Sequence, residues 1–407
     1  MGFVAAVAKV LALVIATAAA LAAALIVLPS VSLKMALAAI VASEKSALIA
    51  AAAVVALPLA FFGFTRGRRA PSALAVVLAV AAIGMCILPL AQARSLARTR
   101  GVSLDIRRYL QARIDSEGPG KPDRTVVYMT AQDRLPVVHR ESTPPEGDHP
   151  LELDVYLPRA RPRAPGRAVV VVHGGFWSAG QKGEATLASR RLADLGFTVF
   201  DVQYRIAPQP NWKLATGDVK CAIGWVKQHA DTDDWNIDPK KVTVLGRSAG
   251  GHLALMAAYA PADPELPATC DAGDTTVDSV VALYAPTDLS WGYKYPASKW
   301  VSDGRGKIRA FLGGGPDETG DRYRALSPLE RVTTAAPRTL LAHGGRDQLV
   351  PHGHMGLLAA RLRAMGVPCE TLFIPYAQHA FDFVVGGFSD QILEAQLLKF
   401  LASSGAK

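Results

Sequence analysis

Three long apolar runs crowd the first 92 residues, and nothing else in the sequence constrains the chain as strongly. They are Phe3–Leu28, Ser46–Phe64 and Ser72–Ala91, with Lys9 the only charge inside them. Each is close to the ~20 residues that a helix needs to cross a bilayer. In hydrocarbon, a single segment satisfies its own backbone polar groups only as a helix. Between the first two runs, Val31–Ser43 is apolar but short and carries Lys34, so it reads as a connecting or interfacial piece. A cleaved signal peptide is the alternative for the first run. Against it stand an apolar core that is too long, no clear A-x-A exit, and two further runs behind it. The expectation is a transmembrane anchor of about three helices over residues 1–92, and hence an integral membrane protein.

Charge divides the chain in the same way. Residues 1–124 hold 14 Lys/Arg against 5 Asp/Glu, whereas residues 125–407 hold 30 of each, so the formal net charge of +9 belongs to the anchor and its flank. The C-terminal part has no basic stripe of the kind that neutralises phosphates, which argues against a nucleic-acid partner. Arg94, Arg98, Arg100, Arg107, Arg108 and Arg113 follow the third run directly, and Ile106, Tyr109, Leu110 and Ile114 fall at helical spacing. Residues 93–122 read as a basic juxtamembrane segment, either an amphipathic helix on membrane lipids or a solvated linker helix. Arg66, Arg68 and Arg69 stand at the opposite end of the third run, so the positive-inside rule is pulled both ways and chooses no side. The four cysteines form no C-x-x-C and no Cys/His metal spacing, so no metal site is expected.

From Asp123 onward, short β-rich runs alternate with helical segments. Thr125–Thr130 and Leu151–Leu157 read as opening strands, separated by the turn-rich ESTPPEGDHP. Ala168–Val172 (AVVVV) is an unbroken β-branched run, as in a strand covered on both faces. Five more short apolar runs end at Val202, Leu245, Tyr284, Ala342 and Ile374. Helical candidates lie at Ala185–Leu195, Ala215–Gln228, Ala249–Tyr259, Met355–Met365 and Ser389–Leu401. This alternation implies an α/β domain over 123–407, with a mostly parallel sheet of about eight strands flanked by helices. Residues 286–328 are the longest irregular stretch and read as an insertion over the strand ends.

Gly246-Arg-Ser-Ala-Gly250 follows one expected strand and precedes one expected helix. That is the setting of a nucleophile elbow, in which Ser248 sits on a strained turn and the Ala249 N–H faces developing negative charge. His173-Gly-Gly-Phe-Trp177 follows AVVVV. There Gly175 and Phe176 would offer oxyanion-hole N–H groups, Gly174 the turn, and His173 a brace. Downstream, Asp347 lies in a turn after one strand and His379 in the loop after the last, giving the order Ser248, Asp347, His379. Asp288 is the alternative acid, while Asp382 is too near the base in sequence. Of the other histidines, His252 is expected to brace the elbow and His343 to precede the acid within its turn. His352 and His354 are expected at the surface, and His139, His149 and His229 lack a partner pattern.

HGGFW, Tyr204-Arg-Ile-Ala-Pro208, GRSAGGHLAL, GGRDQLVP and YAQHAF together resemble the carboxylesterases and lipases of the α/β-hydrolase fold. The likeness is to the HGG-x-W branch that includes esterase-like and kynurenine formamidase-like enzymes. It covers Asp123 to the C-terminus, about two-thirds of the chain. Phe176 stands where hormone-sensitive-lipase-like members carry a third glycine, and the multi-span anchor departs from the formamidases. The resemblance implies a serine hydrolase without a cofactor, acting on a short-to-medium acyl or lipid-like ester. An arylformamidase, or a hydrolase-fold binding protein without turnover, is the alternative.

Overall fold

The computed structural model describes residues 2–65, 69–115, 120–130, 132–133, 150–160, 164–231 and 235–403. Arg66, Arg68, His139, His149 and most of the turn ESTPPEGDHP lie outside the described residues.

Helices α1 (Gly2–Val27), α3 (Ser46–Phe64) and α4 (Ala70–Arg100) are each long and apolar enough to cross a membrane. Their contact seam is built of alanine. Ala5, Ala8, Ala12, Ala16, Ala19 and Ala23 of α1 are buried, with Ala53, Ala56 and Ala60 of α3 and Ala75, Ala79 and Ala82 of α4. Steps of three and four residues put these methyls on one helix face, and small side chains let the backbones approach closely. Leucine, valine and phenylalanine point outward instead, among them Val10, Val14, Leu21, Phe61, Val77 and Val80. Between α1 and α3, α2 (Leu33–Glu44) starts on a Ser32 cap whose Oγ accepts from Met35 N.

Helix α4 does not stop at residue 92. It runs to Arg100, where Gly101 (φ +67°) closes it in the left-handed conformation. Ala93 and Ala97 thereby join the core of the C-terminal domain. The following helix, α5 (Ile106–Leu110), has only five residues and is capped by Asp105. Tyr109 turns inward, stacks on Phe388 at 4.1 Å and accepts from Ala47 N, whereas Ile106, Leu110 and Ile114 stay exposed. Arg108 is held by Glu394 and Asp390, and Arg100 by Gln396 and the Thr371 carbonyl. Part of the basic flank is therefore bound by protein.

In chain order the strands are β1 (Arg113–Ile114), β2 (Arg124–Met129), β3 (Leu151–Tyr156), β4 (Gly166–Val172), β5 (Thr198–Val202), β6 (Ile237–Arg247), β7 (Ser279–Leu283), β8 (Arg338–Gly344), β9 (Cys369–Ile374) and β10 (Val384–Val385). Eight form one sheet, ordered β2-β3-β5-β4-β6-β7-β8-β9, while β1 and β10 pair separately. Within the eight-stranded sheet of the described residues, the β2–β3 and β3–β5 pairs are antiparallel and the others parallel. Helices α6 (Thr186–Asp194), α7 (Trp212–Gln228), α8 (Ala249–Tyr259), α12 (Gly353–Ala364) and α13 (Phe388–Ala402) connect or follow the strands. Two apolar cores cover the sheet's two faces, which is why Val169–Val172 of β4 are all buried. A disulfide joins Cys221 of α7 to Cys270 in the segment before β7.

Residues 286–328, expected to be irregular, contain α9 (Leu289–Lys294), α10 (Gly304–Leu312) and α11 (Pro316–Ala325). They form a cap above the carboxyl ends of β6 and β7. Asp288 and Asp303 cap the first two, through Trp291 N and Gly306 N.

Candidate active site

The end of β6 turns directly into α8 at Ser248, whose backbone sits at φ +53°, ψ −120°. A non-glycine residue rarely adopts such a conformation, and surrounding structure must hold it there. Here the Ser248 N–H donates to Leu283 O at 2.9 Å, tying the turn to the end of β7. A Cβ at Gly246 would overlap the Gly250 carbonyl, and one at Gly250 would overlap the carbonyls of His173 and Val172. The spacing of the two glycines around the serine is therefore steric.

Strand β4 ends beside this turn. At Gly174 a Cβ would lie 3.4 Å from Ser248 Cβ, so the two loops are in contact. Gly175 (φ +106°), Phe176 (φ +56°) and Trp177 (φ +58°) follow in the left-handed region, which turns successive N–H groups to one side. Several side chains fix this strained run. Tyr204 Oη donates to the carbonyls of His173 and Gly174, each at 3.2 Å, and its ring stacks on His173 at 4.2 Å. Asn211 Nδ2 donates to Trp177 O at 2.8 Å. Trp177 Nε1 donates to His252 Nδ1 at 3.2 Å, and His252 Nε2 donates to Leu326 O at 2.7 Å. That pattern makes His252 a neutral imidazole, and burial pushes its pKa down to about 4. His252 thus braces the loop after β4 as well as the turn at Ser248, a link that sequence alone did not disclose.

The carboxylate of Asp347 is wholly buried beyond β8. Its Oδ2 accepts from His379 Nδ1 at 2.7 Å and lies 3.2 Å from His343 Nε2, whose N–H it shares with Val350 O at 2.9 Å, and its Oδ1 accepts from the N–H groups of Leu349 (2.8 Å) and Val350 (2.9 Å). Burial alone would raise its pKa; the adjacent His379 and the hydrogen bonds from both imidazoles hold it well below the usual carboxylate range. His379 itself is 8% exposed and packs on the Tyr284 ring at 4.4 Å. Tyr284 begins the loop after β7, one residue beyond Leu283, which anchors Ser248. Ser248, Asp347 and His379 therefore all lie just beyond the neighbouring carboxyl ends of β6 to β9. Among the described residues, no hydrogen bond joins Ser248 Oγ to His379; such bonds often close only when substrate is bound.

The other candidates fall elsewhere. Asp288 serves as the α9 cap. Asp382 binds Arg247 Nε and Tyr284 Oη, both at 2.6 Å, in a buried cluster beside the turn. His354, expected at the surface, is 1% exposed. Its Nδ1 accepts from Thr287 N at 3.1 Å and its ring meets Trp291 edge-on, so the cap over the site draws it inward. His352 is exposed, and His229 stacks on Trp225. Among the described residues, no group of three or more His, Cys, Asp or Glu is arranged to hold a metal ion.

Ser248, Ala249, Phe176 and Trp177 line one small cavity of about 50 Å³, closed on the far side by Ile308 of α10 and by Val350. A serine hydroxyl, the backbone of the loop after β4 and an apolar recess thus meet in one place, an arrangement that acyl transfer to serine could use.

Comparison with known proteins bears on the fold and the family. The native structure of Est2, a thermophilic esterase from Thermogutta terrifontis, superposes with a TM-score of 0.54 at 24% identity, covering 72% of this chain and 99% of that one. That likeness shows the α/β-hydrolase fold. The chain is 33% identical to esterase LipC of Mycobacterium tuberculosis over 65% of each protein, and 30% identical to esterase LipQ over 60% of this chain and 57% of that one. A probable isoprenylcysteine alpha-carbonyl methylesterase of Oryza sativa is 28% identical over 61% of this chain and 60% of its own. The chain thus spans less than two-thirds of the length of these curated relatives. The BD-FAE profile matches residues 153–362, just over half of the sequence, from within β3 through the turn that holds Asp347, and the chain belongs to that family of α/β-hydrolases.

Proposed function

We propose that this chain is a membrane-anchored serine hydrolase of carboxylic esters. The observation that carries the reading is the 2.7 Å bond between the buried Asp347 and His379, in a site that also presents Ser248 on a strained turn. His379 Nε2 takes the Ser248 proton as Oγ bonds to the acyl carbon. The carbonyl oxygen becomes an oxyanion, which accepts hydrogen bonds from the N–H groups of Ala249, Gly175 and Phe176. When the carbonyl re-forms, the C–O bond to the alcohol breaks, and the imidazolium returns the proton to the departing oxygen. Water, deprotonated by the same imidazole, then releases the acid and restores Ser248. Asp347 keeps the proton on Nδ1 and stabilises the imidazolium throughout.

The recess beside the serine is lined by Phe176, Trp177, Ile308 and Val350, which favours an apolar acyl group there. Length and composition support α1, α3 and α4 as membrane spans, with residues 1–92 as anchor and 123–407 as catalytic domain. The Cys221–Cys270 disulfide supports an oxidising compartment for that domain, and hence the non-cytosolic side. Binding of Arg100 and Arg108 by the domain's own carboxyl and carbonyl groups weakens the charge signal that opposed this orientation.

The test is turnover of p-nitrophenyl butyrate by the detergent-solubilised chain, with Ser248→Ala alongside. Turnover should vanish in the variant, and a fluorophosphonate probe should label Ser248 rather than Ser290 or Ser327. Undiminished hydrolysis by Ser248→Ala would refute the assignment. N-formylkynurenine in the same substrate panel separates the ester reading from the arylformamidase one.

A further inference from the structure

Both sequence neighbours of Asp347 reach out of the catalytic domain and grip the anchor. Arg346 Nη2 donates to Val27 O at 2.7 Å, the carbonyl of the last residue of α1. A helix end leaves such carbonyls without partners, and a guanidinium there also suits the helix dipole. On the other side, Gln348 Oε1 accepts from Ser30 N at 2.7 Å, and Gln348 Nε2 donates to Ser30 Oγ at 3.2 Å. The same Nε2 donates to Gln378 Oε1 at 3.3 Å. Gln378 directly precedes His379. Ser30 and Gln378 are only 2% and 3% exposed, so these bonds are sheltered from water.

One amide thus touches three segments: the connector after α1, the acid turn after β8, and the base loop after β9. The relative position of the last two decides whether Asp347 and His379 meet at hydrogen-bonding distance. Their loops are otherwise tied through the backbone, where Arg346 N donates to Ala377 O. Leu349, the residue after Gln348, lines the cavity at Ser248, so a shift of this turn also reshapes the acyl recess.

We propose that Gln348 is a positioning residue that couples the membrane anchor to the acid–base pair, so that the site is fully aligned only when Ser30 is seated against it. This rests on the hydrolase reading of the same site. Gln348 touches neither substrate nor reacting atoms and acts through Asp347 and His379. The anchor is then part of the catalytic assembly as well as its attachment.

The experiment uses the full chain in detergent micelles with p-nitrophenyl butyrate. Gln348→Leu keeps the side chain's bulk but removes every hydrogen bond. Its kcat should fall about 10- to 100-fold with KM within about two-fold, the loss expected when reacting groups drift by roughly 1 Å. Gln348→Glu still accepts from Ser30 N, and a flip of the Gln378 amide restores the second link, so it should recover much of that loss. Ser30→Pro removes the anchor's N–H donor without altering the catalytic domain, and should lower kcat in the same manner. If Gln348→Leu does not fold, Ser30→Pro decides. Retention of wild-type kcat by either folded variant overturns the proposal, as does a loss carried by KM alone. Absence of turnover in the wild-type chain would instead overturn the hydrolase reading.

Discussion

Replacing Asp347 with asparagine separates the roles of its two oxygens. Oδ1 accepts from the N–H groups of Leu349 and Val350, and an asparagine oxygen in that position keeps both bonds, so the turn should hold its shape. Oδ2 becomes an amide nitrogen facing His379 Nδ1, which now has to accept a hydrogen bond where it formerly donated one. The ring proton is driven to Nε2, the atom that must be free to receive the Ser248 proton. The buried charge that stabilised the imidazolium also disappears. The expected loss in kcat is about 10³- to 10⁴-fold, or about 4–5.5 kcal/mol of barrier. It is read from steady-state hydrolysis of p-nitrophenyl butyrate, with the rate of fluorophosphonate labelling falling in parallel. Asp288→Asn is the matched control. Asparagine caps α9 as well as aspartate does, so that variant should stay within a few-fold of wild type. An Asp347→Asn enzyme within ten-fold of wild type, or a larger loss from Asp288→Asn, would refute this assignment of the acid.

Two further outcomes follow from buried groups. Glu44, at the end of α2 and outside the three apolar spans, is 2% exposed; burial pushes its pKa up to about 7, partly offset by bonds from Ser389. Its contribution to stability is complete below about pH 4.5 and lost as pH rises through 7, up to about 3 kcal/mol. Asp201 and Asp390 are also raised to about 7, so the measurement is a difference: the thermal midpoint of Glu44→Gln should fall less than that of wild type between pH 5 and 8. Parallel curves for the two proteins would exclude this account. Trp177→Phe should cost about 1–3 kcal/mol by leaving His252 Nδ1 buried without a donor, and should lower kcat through a looser oxyanion loop. Denaturant unfolding and steady-state kinetics check the two effects separately.

Chemistry carried by a short contiguous motif was legible in the sequence, and chemistry carried by distant partners was not. Gly246 is needed for a contact with Gly250 only four residues on, so the spacing around Ser248 is visible in the chain even though Gly250 itself makes room for the distant carbonyls of Val172 and His173. The continuous valines of β4 likewise announce burial on both faces. By contrast, Trp177 and His252 lie 75 positions apart, and Ser30 and Gln348 lie 318 apart. No periodicity reveals such pairs. His354 was misread because its local context is a polar helix start; a tryptophan from the cap makes it interior. Helices α9 to α11 escaped notice because each is ten residues or shorter and rich in glycine and charge, so packing and caps rather than propensity hold them. The continuation of α4 past residue 92 was not legible for a related reason. Charge returns to the sequence at Arg94, but a helix with good formers and alanines to bury continues past the change in polarity.

That continuity limits how far the C-terminal domain can range from the apolar helices. A free linker of 30 residues, the length of 93–122, would let a tethered domain wander over about 30 Å. Helix α4 has 31 residues, about 46 Å of rod, against a hydrocarbon layer about 30 Å thick. Its last turns are gripped by α13 and by the sheet's core through Ala93 and Ala97. With α4 across a bilayer, Ser248 is carried at one fixed height and in one fixed attitude above the lipid, and encounter with an ester becomes a search in two dimensions. The rate then follows the surface fraction of the ester in the membrane, and diluting the same vesicles into more buffer leaves it unchanged.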